Sequence, residues 1–219
     1  MKTFKLHLIR HGITQGNIDG LYVGSGTDLP LCAAGRTQLQ ELCECFKFPV
    51  VDTVFSSPML RAVETANILF PTAKHQFCVD DLREAGFGIY EGRPLKELAT
   101  LPDFADWMNP ASGFTPEGAE PTLEFHKRCA DTLMKLFEYM IKQDLTEAAC
   151  VTHGGVIMSM LAQRALPTRA PEQWMADAGC GYTVQTDIQL WMRDNLVEAI
   201  DIQPLGYLDT VQAQNRNLD

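Results

Sequence analysis

The triplet Arg10-His11-Gly12 stands directly behind the alternating run Phe4-Lys5-Leu6-His7-Leu8-Ile9. It brings a guanidinium, an imidazole and unhindered backbone to the end of a predicted strand. Ligands of open α/β sheets collect beyond the carboxyl ends of strands, so this is a place for nucleophilic chemistry. The pattern recurs twice. Val50-Val51-Asp52-Thr53-Val54-Phe55 ends in Ser56-Ser57-Pro58, with Arg61 in the first turns of the helical stretch that follows. Ala149-Cys150-Val151-Thr152 ends in His153-Gly154-Gly155 before another helical stretch. Three strand ends each deliver a basic group.

These residue types suit a phosphate monoester. Its dianion repels nucleophiles, so a catalyst must neutralise the oxygens and place an attacking atom in line. Arg10 and Arg61 can neutralise, since arginine offers a planar fork of donors at any working pH, and a helix N-terminus beside Arg61 adds backbone N–H groups. His11 can attack through one ring nitrogen if a carbonyl keeps the other protonated, and nearby cations favour its neutral form. His153 is expected as a further donor to the phosphoryl oxygens, most useful when protonated, with Gly154-Gly155 letting backbone approach the ligand. Glu84, in Leu82-Arg83-Glu84-Ala85-Gly86-Phe87-Gly88, is the candidate acid for the leaving alkoxide, expected ionised in the free protein and protonated once the dianion is bound. Its plain structural alternative is an ion pair with Arg83.

The elements that must position these groups follow from hydrophobic periodicity. The order is strand, helix, strand, helix, a proline-punctuated segment, strand, helix and a final β region. A first helix carries Leu39, Leu42, Cys43 and Phe46, with Gly35 ahead of it; a second is predicted to start with Ser57 as cap and Pro58 at its first position. From about residue 90 to 148, Pro94, Pro102, Pro110, Pro116 and Pro121 interrupt a stretch with Phe104, Trp107, Met108 and Phe114, followed by a helical pattern through Leu133, Phe137 and Met140. This is read as an inserted cap on one domain spanning 1–219, its aromatics mainly cap core. Thr183–Trp191 and Leu196–Ile202 flank a turn-like Arg193-Asp194-Asn195 and suggest a closing hairpin, whose sheet edge could pair between subunits. The polar tail after Gly206 is expected to be loose.

Composition narrows the partners. With 28 acidic against 18 basic residues the formal charge is -10, which disfavours nucleic acid and anionic membranes. No apolar run is long enough to span a bilayer and the N-terminal run is broken by Lys5, His7 and Arg10, so a cytoplasmic location is expected. The seven cysteines form no C-x-x-C pair and are expected to be reduced packing residues. His7, His75 and His126 are expected to take no part in catalysis, His126 lying on a solvated face with Lys127 and Arg128.

Leu8-Ile9-Arg10-His11-Gly12 with Thr14 and Asn17, Ser56-Ser57-Pro58-Met59-Leu60-Arg61-Ala62-Val63-Glu64-Thr65-Ala66, the stretch Leu82–Gly92 and Val151-Thr152-His153-Gly154-Gly155 together resemble the histidine phosphatase superfamily, in its phosphoglycerate-mutase-like branch. The resemblance implies an α/β three-layer sandwich, a mostly parallel central sheet flanked by helices, with an inserted cap. It implies that His11 carries the phosphoryl group covalently, that Arg10, Arg61 and His153 bind phosphate, that Glu84 is the acid, and that Asn17 lines the pocket. Neither metal nor organic cofactor is implied. Departures fall at Ile13, where many relatives are polar, at Cys32, where serine or threonine usually caps the next helix, and at Glu120, which matches a family Gly-Glu-Ser only with one residue inserted.

A phosphatase for a small phosphorylated metabolite is therefore expected. Phe87-Gly88-Ile89-Tyr90-Glu91-Gly92-Arg93-Pro94 resembles the small phosphatases, and the lysine-bearing, glycine-rich loop of mutases is missing. A phosphoglycerate-type phosphomutase is the alternative, and a non-catalytic phospho-ligand module the third reading. Sugar phosphates, phosphoglycerates, nucleoside monophosphates and ribazole phosphate stay open as substrates.

Overall fold

Seven strands form one sheet in the order β3-β2-β4-β1-β6-β7-β5, in a computed structural model that describes residues 2–207. In chain order the elements are β1 (Thr3–Arg10), α1 (Gln15–Ile18), α2 (Ala33–Cys45), β2 (Thr53–Ser56), α3 (Leu60–Leu69), β3 (His75–Cys78), α4 (Leu95–Leu98), α5 (Pro102–Met108), α6 (Thr122–Lys142), β4 (Glu147–Thr152), α7 (Gly154–Arg164), β5 (Ala165–Leu166), β6 (Gly181–Asp187), α8 (Ile188–Asp194) and β7 (Val197–Gln203). The pairings β1–β4, β2–β4, β2–β3 and β5–β7 are parallel, and β1–β6 and β6–β7 antiparallel. The sheet is mostly parallel, as expected. The loose tail expected after Gly206 lies, from residue 208 on, outside the described residues.

Two apolar layers explain why the central strands are buried on both sides, as parallel strands between helices are. Ile9, Val54, Ala149 and Val151 face α2 and α3 through Leu39, Leu42, Ala62, Ala66 and Leu69. Leu6, Leu8, Phe55 and Cys150 face α6 and α7 through Leu133, Phe137, Val156 and Met160. Apolar side chains at Phe125, Cys129, Leu133, Phe137 and Met140 recur every three or four residues of α6 and give it one continuous buried stripe. Each such side chain fully withdrawn from water contributes about 1.5–3 kcal/mol.

Within the proline-rich segment, the long helix α6 packs along α7 and β1. The short helices form a separate aromatic knot. Tyr22 stacks on Phe87 at 3.9 Å, and Phe104, Trp107 and Tyr90 close around them. Phe104 and Trp107 are buried in this knot, whereas Phe114 is exposed.

Several local expectations are corrected. Gly35 does not precede α2 but lies in its first turn, where a Cβ would stand 2.1 Å from the Ile13 carbonyl oxygen. Cys43 in that helix is exposed. The second helix opens at Leu60, three residues after Ser57, and its first N–H is received by Asp28 of a distant loop at 2.8 Å. The closing strands are joined by α8, capped by Asp187 and ended by Asn195 in the left-handed conformation, because Leu190 and Trp191 follow a capping aspartate and not a turn. His75 begins the edge strand β3. Among the cysteines only Cys129, Cys150 and Cys180 are buried, while Cys43, Cys45 and Cys78 are exposed. His126 is half-buried and bonded to Ser159 Oγ at 2.8 Å, so its face of α6 is not solvated.

Candidate active site

Strand order places the site. β4 lies between β1 and β2 with Arg10 opposite Thr152 and Ser56 opposite Val151, so the residues beyond all three carboxyl ends are neighbours. Backbone bonds carry the register one step further: His11 N–H donates to Thr152 O at 2.8 Å and Ser57 N–H to Val151 O at 2.9 Å. The rings of His11 and His153 meet edge to face, centroids 5.1 Å apart. Residues 142 positions apart in the chain thus share one cleft.

His11 is buried, and its Nδ1 lies 2.7 Å from the Gly12 carbonyl oxygen. A carbonyl only accepts, so Nδ1 carries the proton and Nε2 keeps a free lone pair. Burial, then the charges of Arg61 and Arg10, lower the pKa of this imidazole to about 3 against a partial upward pull from Gly12. It is neutral at any physiological pH.

Arg61, the most buried of the site's cations at 1% exposure, is tied in three directions. Its guanidinium donates to Thr27 O and Gly24 O, each at 3.0 Å, and its Nε to His153 Nδ1 at 3.3 Å. Each terminal nitrogen retains one N–H for a ligand oxygen. Burial is the main cause that lowers its pKa, opposed by Glu84, Asp28 and Glu91. Because His153 Nδ1 accepts from Arg61, its proton resides on Nε2, which lies 2.9 Å from Ser57 Oγ. Burial first, then His11 and the neighbouring arginines, hold its pKa well below the ordinary range. Two buried cations already occupy the neighbourhood, which disfavours the imidazolium expected at 153.

Arg10 donates to Ala176 O at 2.8 Å, and its buried Nε has no hydrogen-bond partner. A Cβ at Gly154 would stand 3.5 Å from this Nε, which puts the orphan donor at the first turn of α7. Such a donor is costly to leave unmade, and an anion there would satisfy it.

Glu84 stands on the same helix N-terminus. Its carboxylate accepts from Ala85 N at 3.0 Å and from Gly155 N at 2.9 Å. A Cβ on residue 155 would lie 2.5 Å from Glu84 Oε1, so glycine at 155 is what lets the carboxylate reach the helix. Burial raises the pKa of this carboxyl, while the two N–H bonds and then Arg61 and Arg10 pull it down. Glu84 also lines a cavity of about 430 Å³ with Ser25, Gly86, Glu120, Arg83 and Arg128. Arg83 pairs with Asp80 and not with Glu84.

Asn17 is exposed, and its carboxamide oxygen accepts from Thr14 N and Oγ1, each at 3.0 Å, capping α1. His11, Arg10, Arg61, His153, Gly154 and Glu84 thus converge, and the carboxamide oxygen of Asn17 is engaged in its own turn. Two further residues belong to this constellation. Ser57, read above only as a cap, orients His153. Thr65 accepts from Gly12 N at 2.9 Å and donates to Arg61 O at 2.6 Å, tying two of the three strand ends together. The signal for Ser57 was present in the chain, since it follows β2 as His11 follows β1 and His153 follows β4. Thr65 gave none. Among the described residues no cluster of His, Cys, Asp and Glu has the makings of a metal site, and no helix is long and apolar enough to cross a membrane.

A family model described as "Histidine phosphatase superfamily (branch 1)" matches residues 6–191. The zebrafish (Danio rerio) fructose-2,6-bisphosphatase TIGAR B is 34% identical over 148 residues, which cover 65% of this chain and 57% of that protein. The adenosylcobalamin/alpha-ribazole phosphatase of Escherichia coli is 31% identical over 180 residues, covering 80% and 87%. The crystal structure of the alpha-ribazole phosphatase from Shigella flexneri superposes with a TM-score of 0.73 at 27% identity, over 92% of this chain and 96% of that one.

Proposed function

The chain belongs to the histidine phosphatase superfamily, branch 1, and from that premise we propose that it hydrolyses phosphate monoesters of small metabolites through a covalent phosphohistidine on His11. The observation that carries this reading is the fixed tautomer of His11. With Nδ1–H held by Gly12 O at 2.7 Å, Nε2 is an unprotonated nucleophile close to the charges of Arg61 and Arg10. Its attack forms a P–N bond as the ester P–O bond breaks. Negative charge on the phosphoryl oxygens is met by the free N–H groups of Arg61, by Arg10 Nε and by the N-terminus of α7. The leaving alkoxide takes its proton from Glu84, whose raised pKa lets the carboxyl hold a proton in the presence of the dianion. Glu84, then ionised, takes a proton from water as that water attacks phosphorus. The P–N bond breaks, and inorganic phosphate leaves with His11 restored.

Hydrolysis is preferred over mutase transfer because the chain lacks the lysine-bearing, glycine-rich loop of mutases, and because the cavity beside Glu84 is lined by the exposed Asp80 and Arg83 and admits water. The alpha-ribazole phosphatase and fructose-2,6-bisphosphatase named above point to ribazole phosphate and sugar phosphates as first substrates to try. The decisive experiment is acid–base discrimination of the phosphoenzyme. Rapidly quenched wild-type protein is expected to carry an alkali-stable, acid-labile phosphate on His11, and His11→Ala to carry none and to release no phosphate. Wild-type turnover by His11→Ala overturns the reading, and isomerised phosphoglycerate without phosphate release replaces hydrolase by mutase.

A further inference from the structure

We infer that Arg128 and Glu120 are positioning residues for the general acid: together they form a clasp that fixes the backbone carrying Glu84. The inference rests on the role proposed for Glu84 and adds what holds that residue in place.

Glu84 belongs to no helix or strand. It lies between two single turns, Asp80–Leu82 and Gly88–Tyr90, so no regular ladder sets its position. Its neighbours are pinned individually instead. The carbonyls of Asp81 and Arg83 both accept from one terminal nitrogen of Arg128, at 2.7 and 2.9 Å. The Leu82 carbonyl accepts from Thr152 Oγ1 at 2.7 Å, in the strand that ends at His153. Past the acid, Ala85 O accepts from Ser25 N at 3.0 Å and Gly86 O from Glu120 N at 2.8 Å. Five carbonyls around Glu84 are thus anchored from outside the segment.

Arg128 and Glu120 are two of those anchors and hold each other. Arg128 Nε and its second terminal nitrogen meet the two carboxylate oxygens of Glu120 at 2.8 and 2.6 Å, side by side, and both side chains are about four-fifths buried. The guanidinium also rests on the Phe125 ring, 5.2 Å from its centre. The fork holds Asp81 and Arg83 ahead of the acid with one edge and Glu120 with the other, while the backbone N–H of Glu120 holds Gly86 behind it. A lysine has no such fork. Glu120 lies two residues ahead of α6 and Arg128 in its second turn, and the helix is anchored in the core through Cys129, Leu133 and Phe137, so the loop inherits the rigidity of the helix layer. The proton donor must lie within hydrogen-bond reach of the leaving oxygen, about 2.6–3.2 Å between heavy atoms, and displacement by about 1 Å costs on the order of a hundredfold in rate.

The test compares leaving groups. Arg128→Met is assayed on glycerol 2-phosphate, whose alkoxide needs a proton, and on 4-nitrophenyl phosphate, whose phenolate needs little. The expected result is a fall in kcat of about thirtyfold or more on the alkyl ester, under about threefold on the nitrophenyl ester, with KM for both nearly unchanged. Equal losses on the two esters assign Arg128 a general structural role and overturn the inference; a change confined to KM makes it a substrate contact and overturns it too. Glu120→Gln keeps the backbone bond to Gly86 but weakens the fork, and is expected to lower the alkyl-to-nitrophenyl ratio less steeply. Should Arg128→Met fail to fold, a wild-type ratio in Glu120→Gln refutes the clasp. Failure of the wild-type protein to release phosphate from either ester sinks the phosphatase reading and this inference with it, whereas wild-type turnover with an unshifted ratio in both variants sinks the clasp alone.

Discussion

Replacing Gly155 by alanine separates chemistry from stability. The added methyl carbon would stand 2.5 Å from Glu84 Oε1, 3.0 Å from its carboxyl carbon and 3.1 Å from Oε2. Because the obstacle is the far end of a flexible side chain, the carboxylate yields and the backbone stays; ordinary contact requires a retreat of about 1 Å. That retreat breaks the 2.9 Å bond from Gly155 N. A charge-assisted bond of this kind contributes about 1.5–3 kcal/mol net, part of which water recovers at a partly exposed side chain. Alanine in place of glycine in the first turn of α7 returns about 1 kcal/mol through helix propensity. The two nearly cancel, so the melting temperature is expected to move by only about 2–4 °C, the shift that ~1 kcal/mol produces in a chain of this length. Catalysis has no such compensation. Turnover of glycerol 2-phosphate is expected to fall about a hundredfold and that of 4-nitrophenyl phosphate only a few-fold. The pKa of Glu84 should climb further, because the lost N–H bond is one of the causes that lower it. Steady-state kinetics on both esters beside a thermal melt decide the matter. Alkyl-ester turnover within about twofold of wild type would refute the placement of the acid by this helix end.

Two other predictions follow from the structure. Cys32 Sγ caps α2 by accepting from Gly35 N at 3.3 Å; serine is a better acceptor at that position, and Cys32→Ser is expected to stabilise the fold by about 0.5 kcal/mol in urea melts, with activity unchanged. Acid should unfold the protein unusually early. Burial lowers the pKa of His7, His11 and His153 below the ordinary 6.5, so the unfolded chain binds protons that the folded one refuses. Their contribution to stability is complete above pH 6.5 and drains away below it, His11 continuing to about 3, with a slope of up to ~1.4 kcal/mol per pH unit for each ring. Glu84, raised from 4.5, acts in the opposite sense: its folded form holds a proton above that pH, which offsets about one ring's slope between 4.5 and its folded value. Melting temperatures should therefore drop between pH 7 and 5, less so in His11→Ala; a flat profile would show that these imidazoles are not buried neutral.

Much of the site was legible in the chain because each basic group stands next to the strand that presents it. Arg10-His11-Gly12, Arg61 behind Ser56-Ser57-Pro58 and His153-Gly154-Gly155 are short-range patterns, in which strand, turn and chemistry share a few consecutive residues. Glu84 was found by residue type and by resemblance, since nothing in its loop repeats a pattern. The helix starting at Leu60 was misplaced because Asp28, which caps it, lies 32 positions away, and local preference alone favours Ser57. The hairpin turn became α8 because tertiary burial of Trp191 rewards a helical turn that residue type only weakly suggests.

By itself, the sequence determined the alternation of strands and helices, the buried stripe of α6 and the basic residues waiting at three strand ends, all of which depend on spacing along one segment. Tertiary structure decided that β4 lies between β1 and β2, so that His11 and His153 meet at 5.1 Å. It also decided which ring nitrogen of each carries a proton, that Ser57 and Thr65 join the cleft, and that Arg128 holds the carbonyls of Asp81 and Arg83 beside Glu84, a residue 44 positions away. Those facts are hydrogen bonds and desolvation between distant segments, and such energies exist only once the sheet has assembled and water has been expelled from around it.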